Sequence, residues 1–145
     1  MILTELESRV TLDRRSFLAL SEAELAEVIS KAQGFYFHGL AASRAGEEPV
    51  ARSLYRKAFE LLPTHIEALD NCAIGLVEEL RFAEAIPLLE QSAVAEPTSP
   101  LAFLYLTKCY QETGQNRLAF HCIQYLAQNW PDKSPTIDWS HLGQP

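Results

Sequence analysis

The 145 residues carry 12 basic against 19 acidic side chains, a net charge of −7 without the positive footprint that holds nucleic acid or an anionic membrane surface. With 48% hydrophobic and 21% charged residues, the chain is too apolar for intrinsic disorder and long enough for one self-folding unit. No apolar run approaches the ~20 residues of a membrane span, and residues 1–10 hold Glu5, Glu7 and Arg9 where a signal peptide is apolar, so a cytoplasmic location is expected.

Residues 1–31 read as an extension that is helical in part. Ile2, Leu3, Leu6, Val10 and Leu12, then Phe17, Leu18 and Leu20, supply apolar positions without a clean cap, and the segment is expected to cover one end of the folded body. Ser21 followed by Glu24 is a capping box, and Leu25, Val28, Ile29 and Ala32 continue one apolar face. The first long helix is therefore expected to begin near Glu22.

From residue 32 the chain is periodic. Pro63, Pro97 and Pro131 are each 34 residues apart, and so are Ala51, Ala85 and Ala119. In frames 32–65, 66–99 and 100–133, the eighth position is small in Gly39, Ala73 and Thr107, and the twenty-fourth is large in Tyr55, Leu89 and Ile123. Position fifteen is Gly46 and Gly114 in the outer frames, residues that suit a left-handed helix end, but Leu80 in the middle one. These marks predict a first helix, A, over 32–45, 66–79 and 100–113, and a second, B, over 48–61, 82–95 and 116–129. Pro49, beside Glu47 and Glu48, opens the first B helix. Pro87 is expected to displace the start of the second or to bend it slightly. Residues 134–145 close the chain as a capping tail, with a turn around Ile137, Trp139 and Leu142 between Pro135 and Pro145.

The 34-residue period and its residue types resemble the tetratricopeptide repeat family, which implies an all-α solenoid of three helix-turn-helix repeats with an N-terminal helical extension and a C-terminal cap. The small eighth residue and the alanine at position twenty suit close approach of A and B, and the terminal proline ends B.

Catalysis needs residues of particular types at particular spacings. There is no Gly-x-Gly-x-x-Gly, Walker-type loop, Gly-x-Ser-x-Gly or His-Glu-x-x-His, so no enzymatic activity, metal or cofactor is expected. Cys72, Cys109 and Cys122 lack the pairing of zinc sites or disulfide frameworks and read as buried apolar groups. His38 is expected to pack on the buried side of the first A helix, His65 and His141 to be solvated, and His121 to be no ligand, because adjacent Cys122 points ~100° away on a helix. Glu47, Glu48, Glu78 and Glu79 read as solvated helix surface.

In the tetratricopeptide family the A helices line a concave groove. The resemblance therefore implies a partner-binding stripe of Tyr36, Phe37 and Leu40, then Asp70, Asn71, Ile74 and Val77, then Leu101, Leu104, Tyr105 and Lys108, with Gln33, Ser43, Glu67 and Gln111 at its margins. A stripe so apolar needs a cover: a peptide or protein partner, the N-terminal segment, or a second copy in a homodimer. The clamp by which some members grip the carboxylate tails of heat-shock chaperones is absent, since Tyr36, Leu40, Leu101 and Tyr105 replace its polar and cationic residues and Asn71 alone agrees. In size, acidity and helical extension the chain is more similar to the small tetratricopeptide chaperones of type III secretion. The function expected is a protein-protein interaction module, an adaptor or client-holding chaperone. The alternatives are a structural assembly subunit with a permanently buried groove, or a non-catalytic partner or fragment of a larger enzyme.

Overall fold

The computed structural model describes residues 2–10 and 19–132. The tail expected to cap the chain, with Ile137, Trp139, His141 and Leu142, lies outside the described residues, as do Leu12, Phe17 and Leu18. The fold is all-α: among the described residues there are seven helices and no strand. They are α1 (Ile2–Arg9), α2 (Glu22–Arg44), α3 (Glu48–Leu61), α4 (Ile66–Glu78), α5 (Phe82–Ala95), α6 (Leu101–Glu112) and α7 (Asn116–Asn129).

Helix α2 begins where the capping box predicts. Ser21 Oγ accepts from the Glu24 backbone N–H at 3.2 Å, and the Ser21 hydroxyl donates to Glu24 Oε1 at 3.1 Å. The helix runs unbroken through the boundary drawn at residue 32, so the extension and the first period share one rod. α3, α5 and α7 occupy the three B spans as predicted.

The A helices end in one recurring turn. Gly46, Leu80 and Gly114 have φ of 80°, 62° and 76°. In each case the following residue's N–H reaches five residues back: Glu47 to Ala42 O at 2.9 Å, Arg81 to Leu76 O at 2.8 Å, Gln115 to Tyr110 O at 2.7 Å. Leu80 thus adopts the left-handed conformation although its Cβ opposes it, because its neighbours fix the same Schellman geometry. Its side chain is 73% exposed and contributes little burial. Left-handed strain on an L-residue costs ~1–2 kcal/mol, of which glycine's extra freedom in the unfolded chain takes back up to ~1. Leu80→Gly is therefore expected to stabilise the fold by about 0.5–1 kcal/mol in urea titration, and a loss of stability would contradict this turn.

Pro87 does not displace the start of α5. The N-cap residues Glu47, Arg81 and Gln115 keep the 34-residue spacing, and the proline sits inside the helix. It removes the N–H that would bond the Ala83 carbonyl, and both residues are exposed, so water can satisfy that oxygen.

Packing follows chain order. α2 lies on α3, α4 on α5 and α6 on α7, while α3 meets α4 and α5 meets α6. The short turns reverse the chain within each pair. Ala51, Ala85 and Ala119 are each fully buried, as are Ala73 and, nearly so, Thr107. The twenty-fourth positions Tyr55, Leu89 and Ile123 are buried with them.

Helix α1 departs from chain order. It packs chiefly on α5 and α7. Ile2 and Leu6 are buried there, Arg9 Nη1 donates to Glu90 Oε2 at 2.8 Å, and Arg117 donates to both carboxylate oxygens of Glu5 at 2.7 and 3.2 Å.

Candidate functional site

The proposed stripe lies on α2, α4 and α6, and none of its eleven residues is buried. Tyr36, Leu40, Asp70, Asn71, Ile74, Val77, Leu101, Leu104 and Tyr105 are partly exposed, and Phe37 and Lys108 are exposed. Helical periodicity explains this. On α4 the inward face is taken by Ala68, Leu69, Cys72, Ala73 and Leu76, which leaves Asp70, Asn71, Ile74 and Val77 at its edge. Tyr36, Leu40, Val77, Leu104 and Tyr105 lean on the core, whereas Phe37, Ile74 and Leu101 do not belong to it. Phe37, at 60% exposed, is the most open apolar ring in the stripe.

The polar members are already engaged. Asn71 Nδ2 donates to the Tyr36 hydroxyl at 3.4 Å, joining α4 to α2. Asp70 Oδ1 accepts from the Ser92 hydroxyl at 2.6 Å, and desolvation, only partly opposed by that bond, holds its carboxyl above the usual range. Lys108 Nζ pairs with Glu112 at 2.8 Å. What the stripe offers unspent is therefore mainly apolar and aromatic surface.

Of the alternative covers for the stripe, the N-terminal segment does not supply one through α1, which lies on α5 and α7, the second helices of their pairs. Two histidines differ from expectation, His38 and His65. His38 is exposed and not packed, because the register of α2 gives the buried face to Ala32, Gly39 and Ala42. His65 is buried and not solvated: its Nδ1 accepts from the Ala68 N–H at 3.2 Å and caps α4, and its ring lies 4.9 Å from that of Tyr36. Nε2–H is then left to donate to Gln33 Oε1 at 3.3 Å, which ties α4 to α2. The sequence signal was the N-cap position itself, which histidine rarely fills. His121 is partly buried, and its Nδ1 has no partner among the described residues.

All three cysteines are buried and free. Burial raises each thiol, that of Cys109 to about 11, so thiolate chemistry is disfavoured. Glu47, Glu78 and Glu79 are exposed as expected, with Glu79 paired to Arg52 and Arg81, while Glu48 is half-buried and accepts from the Ser43 hydroxyl. Among the described residues, no group of three or more His, Cys, Asp or Glu side chains is placed to hold a metal, and no helix is long and apolar enough to cross a membrane.

A second feature was missed in the sequence. Arg52, Arg56 and Arg81 border a cavity of about 520 Å³ between α3, α4 and α5. They stand at three different positions of the period, so no single column of it draws attention to them.

No family model matches the chain, and no curated protein matches it.

Proposed function

We propose that this chain is a non-catalytic binding module: three tetratricopeptide-type repeats in a short solenoid whose A helices hold a segment of a partner protein, as an adaptor or client-holding chaperone does. The observation that carries the reading is the run of apolar and aromatic side chains along α2, α4 and α6, with Phe37 exposed and Leu40, Ile74 and Leu104 partly exposed. Their polar neighbours Asp70, Asn71 and Lys108 are satisfied within the chain, so recognition rests on apolar contacts with the partner and not on a charged grip. The 34-residue recurrence of the left-handed turn and of the buried alanines supports the repeat assignment.

Ile74→Asp tests the reading. Ile74 stands outside the core, so the variant is expected to melt close to the parent by circular dichroism. Its carboxylate would meet an apolar partner side chain, and affinity for the captured partner is expected to fall by at least ~2 kcal/mol, about thirtyfold. Unchanged binding by a folded variant would remove the stripe from consideration, and global unfolding would show Ile74 to be core.

A further inference from the structure

Two seats on the B-helix side of the chain are related by the 34-residue period, and among the described residues α1 fills one of them. In the filled seat Arg9 reaches Glu90, whose Oε2 also accepts from the Tyr110 hydroxyl. Gln115 and Leu118 line the same hollow as Arg9, and His121 lies beside Ile2. One period earlier these five positions are Arg56, Leu76, Arg81, Glu84 and Pro87. All five line the open cavity between α3 and α5.

The charge at the matching position is reversed. Glu90 receives the arginine of α1, and Arg56 stands in its place in the open seat. Arg56 has no carboxylate partner among the described residues, and its guanidinium lies 5.6 Å over the Phe59 ring. Arg52 Nη1 is buried 2.9 Å from Glu79 Oε1 yet makes no aligned hydrogen bond. Arg81 is taken up by Glu79 and Glu84. Three guanidinium groups thus face two carboxylates, in a chain whose net charge is −7. Leu76, Pro87 and Leu88 supply apolar lining.

We propose that this open seat docks a short amphipathic helix of another protein, bearing an acidic side chain where α1 bears Arg9. On α1 the docking side chains are Ile2, Leu6 and Arg9, spaced four and three residues apart along one helical face. The expected occupant therefore reads apolar, three residues, apolar, two residues, Asp or Glu. Its carboxylate meets Arg56 and supplies an acceptor for Arg52. The α1 of a second copy does not suit the seat, because it would set Arg9 against Arg56. This surface is separate from the α2, α4 and α6 stripe.

The test is an amide NMR titration of the intact, isotope-labelled chain, to millimolar concentration, with two synthetic peptides: residues 1–10 unchanged, and the same peptide carrying Arg9→Glu. The Arg9→Glu peptide is expected to shift resonances of Arg52, Arg56, Leu76 and Arg81, and to bind at least ~10 times more tightly than the unchanged one. In Arg56→Glu, an exposed substitution with the fold checked by circular dichroism, that preference is expected to invert. No shift at millimolar peptide, shifts confined to α2, α4 and α6, or equal binding of the two peptides would overturn the proposal. Equal binding would mean that Arg56 does not select the charge of the occupant, and tighter binding of the unchanged peptide would mark a second copy's α1 as the occupant.

Discussion

Leu6→Ala is expected to lower stability by about 2–4 kcal/mol and to release α1 from the body of the protein. Leu6 is fully buried, so the truncation loses transfer free energy and leaves a void between α1, α5 and α7. An eight-residue helix does not hold in water alone, so α1 is folded only while docked. That sets a ceiling: once docking is lost, a further truncation such as Ile2→Ala adds less than it does by itself. The loss is also local, because the pairs α2–α3, α4–α5 and α6–α7 make their contacts without α1. Urea titration gives the magnitude, and hydrogen exchange gives the location, with amides of residues 6–10 losing protection and those of α4 and α6 still slow. Uniform loss of protection would show α1 to be integral to one cooperative unit.

The same dock has a pH signature. The Arg117 hydrogen bond is the main cause that holds the Glu5 carboxyl below its ordinary 4.5. A folded value below the unfolded one means that this contribution is complete above pH 4.5 and is lost as pH falls through the lowered value. Acid is thus expected to expose amides 6–10 before the rest of the chain, and Arg117→Gln is expected to flatten that dependence. An unchanged profile in that variant would dissociate Glu5 from docking.

What was legible in the sequence was whatever repeats. Proline and alanine at fixed offsets located the B helices because each marks a backbone or packing constraint that recurs with the unit. Leu80 weakened the signal without changing the turn, since the hydrogen bonds from Leu80 to Val77 O and Arg81 to Leu76 O impose it. Contacts between non-equivalent segments were not legible. Nothing local to α1 says that Ile2 and Leu6 settle on α5 and α7, beyond the three helices that follow it, and periodicity is silent on a segment outside it. His65 was misjudged for a related reason. A turn residue is solvated by default, but this one caps α4 while its ring packs on Tyr36 from α2. That the stripe residues fall on α2, α4 and α6 followed from the helix spans, and Lys108 with Glu112 is an i,i+4 pair visible in the sequence, but the partners of Asp70 and Asn71 were not legible, because they come from neighbouring helices.

Gly39→Val is expected to cost about 3 kcal/mol, and Tyr55→Ile to restore much of it. A Cβ at Gly39 would lie 2.6 Å from Tyr55 Cε1, 2.7 Å from Cδ1 and 3.4 Å from the Ala51 carbonyl oxygen, so α2 and α3 touch through the absence of a side chain. The Tyr55 ring, 4% exposed with Tyr36 at 6.0 Å, has no free space to swing into. Overpacking of this kind costs ~1–3 kcal/mol or more, and the better helix propensity of valine returns only a few tenths of a kcal/mol. The other periods show the compensation. At the same two positions they carry Ala73 with Leu89 and Thr107 with Ile123, a larger eighth residue facing a smaller twenty-fourth. Since valine and threonine are similar in shape, Gly39→Val with Tyr55→Ile rebuilds the third pairing inside the first unit. A double-mutant cycle in urea is expected to give a coupling of ~1–2 kcal/mol in favour of the pair. Simple additivity would mean that the two positions do not face each other, and the helix contact inferred from the period would fail at its tightest point.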